Sequence, residues 1–167
     1  MTRKSRRPVL TAEPYPHLLR TRDICVLWML RMIIHGSRDT DFLKHHRYST
    51  VRARLGVKLA QPCNDSDVTL IWDRLEATLW QLRTRAKGIG LPAILRTNLD
   101  MLCRNFSFNR VERSILALAV LLRIDNDLYT VADNSGKGVD TSENLGKVLG
   151  IPASAVAKAV DPSSRLR

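Results

Sequence analysis

The sequence predicts an all-α fold, a multi-helix bundle that ends in a helix-turn-helix unit. Three observations predict it. Apolar residues recur at spacings of three and four through most of the chain, as one face of a helix requires. Clusters of Gly, Pro, Asn, Asp and Ser punctuate those stretches where helices start and stop. Strict apolar–polar alternation, the mark of a half-buried strand, never extends beyond a few residues.

Residues 1–16 carry Arg3, Lys4, Arg6 and Arg7 followed by Pro8, Pro14 and Pro16, a composition that resists helix formation and predicts a basic flexible arm. An N-terminal helical subdomain is expected over 17–88. In its first helix, over 17–35, Ile24, Val26, Leu27, Trp28, Leu30, Ile33 and Ile34 cover most of the circumference, which places the helix centrally and assigns Arg22 and Arg31 to its wet side. Gly36 stops it. Asp39 or Thr40 is suited to cap a short helix carrying Phe42 and Leu43, and Ser49 opens another that ends at Gly56.

The cleanest periodicity lies over 68–82, where Val68, Ile71, Trp72, Leu75, Leu79 and Leu82 form one stripe and Asp65 or Ser66 is the expected cap. The opposite face carries Asp73, Arg74, Glu76, Gln81 and Arg83, and Gly88 is the expected stop. Trp28 and Trp72 read as core. Trp80 falls beside the stripe, as an exposed anchor would.

The internal boundary falls at 87–92, where Gly88, Gly90 and Pro92 favour a turn and a new helix start. A second helical subdomain is expected over 91–167. Leu95, Leu99 and Leu102 make one stripe; Val111, Ile115, Leu118, Ala119 and Leu122 make the next, with Asn109 and Glu112 spaced as a capping box. Asn126 or Asp127 opens a short helix, and residues 133–138 are turn-formers throughout.

Thr141 or Ser142 starts a helix with Leu145, Val148 and Leu149; Gly150 turns the chain; Pro152 starts a last helix with Ala155, Val156 and Val160. This is helix-turn-helix spacing. The exposed side of the last helix offers Ser154, Ala157 and Lys158, few donors for reading base edges.

The net charge of +11 is uneven, with 17 Lys/Arg against 8 Asp/Glu in residues 1–90 and 10 against 8 in 91–167. A positive field belongs to the first half and attracts phosphate backbones and acidic protein surfaces alike. Cys25, Cys63 and Cys103 are odd in number and widely spaced, which fits a reducing, cytoplasmic compartment. The apolar run over 24–34 is broken by Arg31 and falls short of the ~20 residues of a membrane span, so no membrane partner is expected.

Catalytic signatures are not apparent. Gly136-Lys137 and Gly146-Lys147 lack the earlier glycine and following Ser/Thr of a phosphate-binding P-loop. His35, His45, His46 and Cys63 lack metal-ligand spacing, and the pairs Asp65/Asp67 and Asp125/Asp127 stand where helices start. The expectation is a chain without catalytic residues, metal or cofactor of its own.

Residues 98–102 (Asn-Leu-Asp-Met-Leu), 110–120 (Arg-Val-Glu-Arg-Ser-Ile-Leu-Ala-Leu-Ala-Val) and 145–166 with Asp161-Pro162-Ser163-Ser164-Arg165-Leu166 resemble the helical region that precedes the ATPase module in bacterial AAA-family proteins. The resemblance covers about residues 91–167, and Gly146 departs from it, since alanine is usual there. It implies a winged-helix-like adaptor that stops short of its wing, with the P-loop downstream.

ATP and magnesium would then belong to that missing module, as would any oligomer. The function implied is that of a non-catalytic N-terminal domain that recruits a protein partner or substrate, or regulates the ATPase ring. The alternative is a nucleic-acid-binding helix-turn-helix module that uses Arg3, Lys4, Arg6, Arg7, Ser154 and Lys158.

Overall fold

The computed structural model describes residues 12–16, 18, 23–36, 41–59, 64–84, 89–134 and 141–161. Among them the chain is all-α, as expected: α1 Ile24–His35, α2 Asp41–Lys44, α3 Ser49–Arg54, α4 Asp65–Thr84, α5 Ala93–Phe106, α6 Arg110–Ile124, α7 Asn126–Asn134, α8 Ser142–Leu149 and α9 Ala153–Val160. Extended pairing among the described residues is limited to one parallel bridge between Asp23 and Gly90.

Helix α1 is the axis. Asp23 caps it by accepting the Cys25 amide at 2.9 Å, and the Gly36 amide closes its other end on the Met32 carbonyl at 2.8 Å. Every residue from Cys25 to Ile33 is buried because α4, α7 and α8 pack around it. A helix wrapped on all sides has no wet face. Arg31, expected in solvent, is only 9% exposed and points at the end of α8.

Helix α4 buries Ile71, Trp72, Leu75, Leu79 and Leu82 on the stripe set by its three-and-four spacing, with Val68 partly buried at its start. Its cap lies one residue earlier than expected: the Asn64 side chain accepts the Asp67 amide, and the Asp67 carboxylate accepts the Asn64 amide. Thr78 Oγ1 is fully buried, donates to the Arg74 carbonyl at 2.7 Å and accepts the Tyr15 amide at 2.9 Å. Arg74 Nε reaches the Glu13 carbonyl, and its guanidinium lies 4.4 Å from the Tyr15 ring centroid. The segment 12–16, expected within a flexible arm, is thereby strapped onto α4.

Beyond the turn, Asn109 and Glu112 form the expected capping box of α6, Asp125 receives the Leu128 amide at the start of α7, and Thr141 caps α8. Pro92 stands at the cap of α5 rather than inside its first turn. Gly150, at φ 72°, turns the chain from α8 into α9, and Val156 and Ala159 bury α9 against α6 and α8. One apolar cluster runs from Tyr15 to Val148 and takes residues from both sides of the 87–92 boundary. The two stretches of sequence share a core.

Expectations for Asp39, Thr40, Cys63 and Gly88, and for the turn over 135–138, lie outside the described residues.

Candidate interaction surfaces

The side chains with the best chemistry for catalysis are bound up in structure. Arg54, near the end of α3, meets three carboxylates: Asp23 at 2.6 Å, Asp125 at 2.9 Å and Asp127 at 3.4 Å. Burial works against the charge of Arg54, and the hydrogen bonds it donates to Asp23 and Asp125 more than offset it, so its pKa rises above the ordinary arginine range. Burial likewise opposes ionisation of Asp125, yet the Leu128 amide and Arg54 hold its carboxyl below the usual range. Cys25, beside them, has its thiol pushed up by burial and by the carboxylates of Asp23 and Asp125, which suppresses the reactive thiolate. The group ties α1, α3 and α7 together. Asp125 and Asp127 therefore serve an ion-pair group and a helix start.

A second polar group lies on α1. Arg31 Nη1 donates to the Val148 carbonyl at 2.8 Å, while Arg31 Nε and His35 Nε2, one turn apart, are buried without hydrogen-bond partners. Burial, then Arg83, pushes the Arg31 pKa down to about 10. Burial, then Arg83, Lys147 and Arg31, lowers that of His35 against a small opposing effect of Glu76. Sequence reasoning missed both groups. The available signal was Arg31 itself, a cation inside a run whose apolar residues already claimed most of the helix circumference.

The described residues contain no group of three His, Cys, Asp or Glu side chains placed to hold a metal ion, and none of their helices is long and apolar enough to cross a membrane. Of the side chains proposed from sequence for nucleic acid or an acidic partner, Ser154 and Lys158 both lie exposed on α9 with Ala157, whereas Arg3, Lys4, Arg6 and Arg7 fall outside the described residues. The α9 face thus presents one cation and one hydroxyl.

Helix α5 is different. It packs chiefly on α6, an arrangement held by Leu99, which is buried, and by Arg113, whose Nη2 and Nε reach Asp100 Oδ1 at 2.7 and 3.0 Å. Leu95 is partly buried against the core, but four large apolar residues are in water: Ile94 is 79% exposed, Phe106 59%, and Met101 and Leu102 are also exposed. Phe106 is held in place by stacking on Phe108, with centroids 5.7 Å apart, and Ser107 at φ 55° ends the helix between them. A helix of this composition would bury a wider stripe in an isolated domain. Trp80, also exposed as its position beside the α4 stripe predicted, adds a large apolar side chain elsewhere on the surface.

Comparison with protein-family models, curated protein sequences and solved structures returned no match.

Proposed function

We propose that this chain is a non-catalytic helical interaction module, and that α5 is the face by which it engages a protein partner. The observation that carries this is the number of large apolar side chains, Ile94, Met101, Leu102 and Phe106, exposed on one helix whose fully buried contact is Leu99. Large exposed apolar surface is the feature that separates protein-docking surfaces from ordinary solvated ones. Covering each is worth roughly 1.5–3 kcal/mol of apolar transfer. The resemblance of residues 91–167 to the helical region preceding AAA-type ATPase modules supports reading the chain as the N-terminal domain of such an ATPase, so the P-loop module of the same protein is the first surface α5 is proposed to engage, besides a recruited partner or substrate.

In that reading α8, its glycine turn and α9 form the structural support of a winged-helix-like adaptor, and ATP and magnesium belong to the P-loop module. Recruitment of a substrate or control of the ring would follow from where α5 docks. The sparse polar face of α9 supports protein docking over sequence reading of DNA, since base-edge recognition requires several convergent donors.

The experiment uses a P-loop-bearing polypeptide encoded with this chain, expressed separately and titrated with residues 1–167. Binding in the micromolar range or tighter, weakened about tenfold or more by Ile94→Asp and Phe106→Asp with helicity unchanged, is the expected result. Association indifferent to both substitutions would remove α5 from the account.

A further inference from the structure

Two clefts on the far half of the molecule run into one another. The first, of about 320 Å³, lies between the outer side of α4 and the chain after α3, with Leu70 and Ile71 as floor and Tyr15 and Pro16 at one end. The second, of about 500 Å³, continues past α3 and the extended residues 57–59. Gly56 and Lys58 line both, so the two adjoin in an open surface groove.

Its chemistry is one-sided. Lys58 is exposed and has no ion-pair partner among the described residues. Arg52 spends Nη1 on the carbonyls of Phe42 and His45, and Arg74 spends Nε on that of Glu13; both keep an unneutralised positive charge at the groove wall. The one carboxylate that lines the groove, Asp67, is engaged by the Asn64 amide. Leu70 is 50% exposed directly over the floor, an apolar surface with no covering among these residues.

We infer that this groove binds an extended acidic peptide, with an apolar side chain seated against Leu70 and carboxylates beside Lys58. This rests on the reading of the chain as an interaction module, and it assigns a second surface distinct from α5. Charge complementarity selects the acidic partner, because three cations and one carboxylate line the groove and leave it net positive. A peptide fits better than a nucleic acid. Single strands are held by stacking bases on open aromatic faces, and the Tyr15 ring is buried with Arg74 laid over it.

The test uses residues 1–167 and a fluorescein-labelled peptide with a single leucine between runs of glutamate, followed by anisotropy. Saturable binding below about 1 mM is expected, weakened about tenfold by Lys58→Glu and several-fold by Leu70→Ala. Arg110→Glu, exposed at the end of α6 away from Asp125, makes the same change in net charge and should leave affinity within about twofold, since a 15-residue helix separates it from the α3 side of the molecule. No saturable binding, equal losses in all three variants, or an oligothymidylate that binds better than the peptide and with the same dependence on Lys58 would each overturn the proposal. A groove that fails while α5-dependent association persists leaves the interaction-module reading intact; loss of both removes it.

Discussion

Arg31 on α1 and Val148 at the end of α8, 117 residues apart in sequence, are joined by a buried hydrogen bond of 2.8 Å from Nη1 to the carbonyl oxygen. The bond places a cation at the carboxyl end of a helix, where the backbone dipole favours it. Yet no carboxylate among the described residues accompanies the guanidinium, and burial, then Arg83, holds its pKa down to about 10. A buried charge of this kind defines an arrangement more than it stabilises one. Arg31→Met, which keeps volume and discards the charge, should change unfolding free energy by less than about 1.5 kcal/mol in either direction. Arg31→Ala, which leaves a cavity and an unpaired carbonyl, should cost about 2–4 kcal/mol in urea denaturation.

Arg31 explains one glycine of the turn, and the turn's own backbone explains another. A Cβ on Gly150 would stand 2.9 Å from Arg31 Nη1, and the residue sits at φ 72°. A Cβ on Gly146 would stand 2.7 Å from the Ile151 carbonyl oxygen, so the tight return of the turn excludes the alanine usual at that position. Gly150→Ala should lose about 1–2 kcal/mol through backbone strain alone. Gly146→Ala should lose more, because its obstacle is backbone. Thermal melts of the two variants provide the comparison, and the double variant Gly150→Ala with Arg31→Met should recover part of the loss.

Acid should loosen the α1–α4–α8 junction. His35 has a folded-state pKa below its ordinary value of about 6.5, through burial first and then Arg83, Lys147 and Arg31, with Glu76 acting in the opposite direction. As pH falls through 6.5 the unfolded chain takes up a proton that the folded chain resists, so stability is full above that value and declines below it. The melting temperature of the wild type should fall between pH 7.5 and 5.5. His35→Asn should flatten that part of the profile, and an equal slope in both proteins would contradict the assignment.

Much of the fold was legible because local rules and packing agree. The α4 stripe, the Asn109–Glu112 capping box, the Thr141 cap and the Gly150 turn each follow from spacing or from one residue's backbone preference. What escaped was long-range. Arg31 read as solvated because helical periodicity describes one helix in isolation, whereas its burial comes from α8 closing over α1. Tyr15 read as part of an arm because nothing near it in sequence announces Thr78 or Arg74 as partners. The convergence of Asp23, Asp125 and Asp127 on Arg54 is likewise a product of topology. The exposed apolar residues of α5 were hidden for the opposite reason: Leu95, Leu99 and Leu102 spaced as a core stripe imply burial, and only the sparse packing of α5 reveals that Leu102 and its neighbours remain uncovered.

The most direct measurement sets α5 against α9. A photo-crosslinking amino acid is placed at Met101 in one protein and at Lys158 in another, and each is irradiated in the cells that make it. Both positions are exposed, so neither substitution should disturb the core. The expected result is a discrete protein adduct from position 101, containing a P-loop polypeptide by mass spectrometry, with position 158 giving no nucleic-acid adduct. Nucleic acid captured through position 158, with position 101 yielding no protein, would contradict the account.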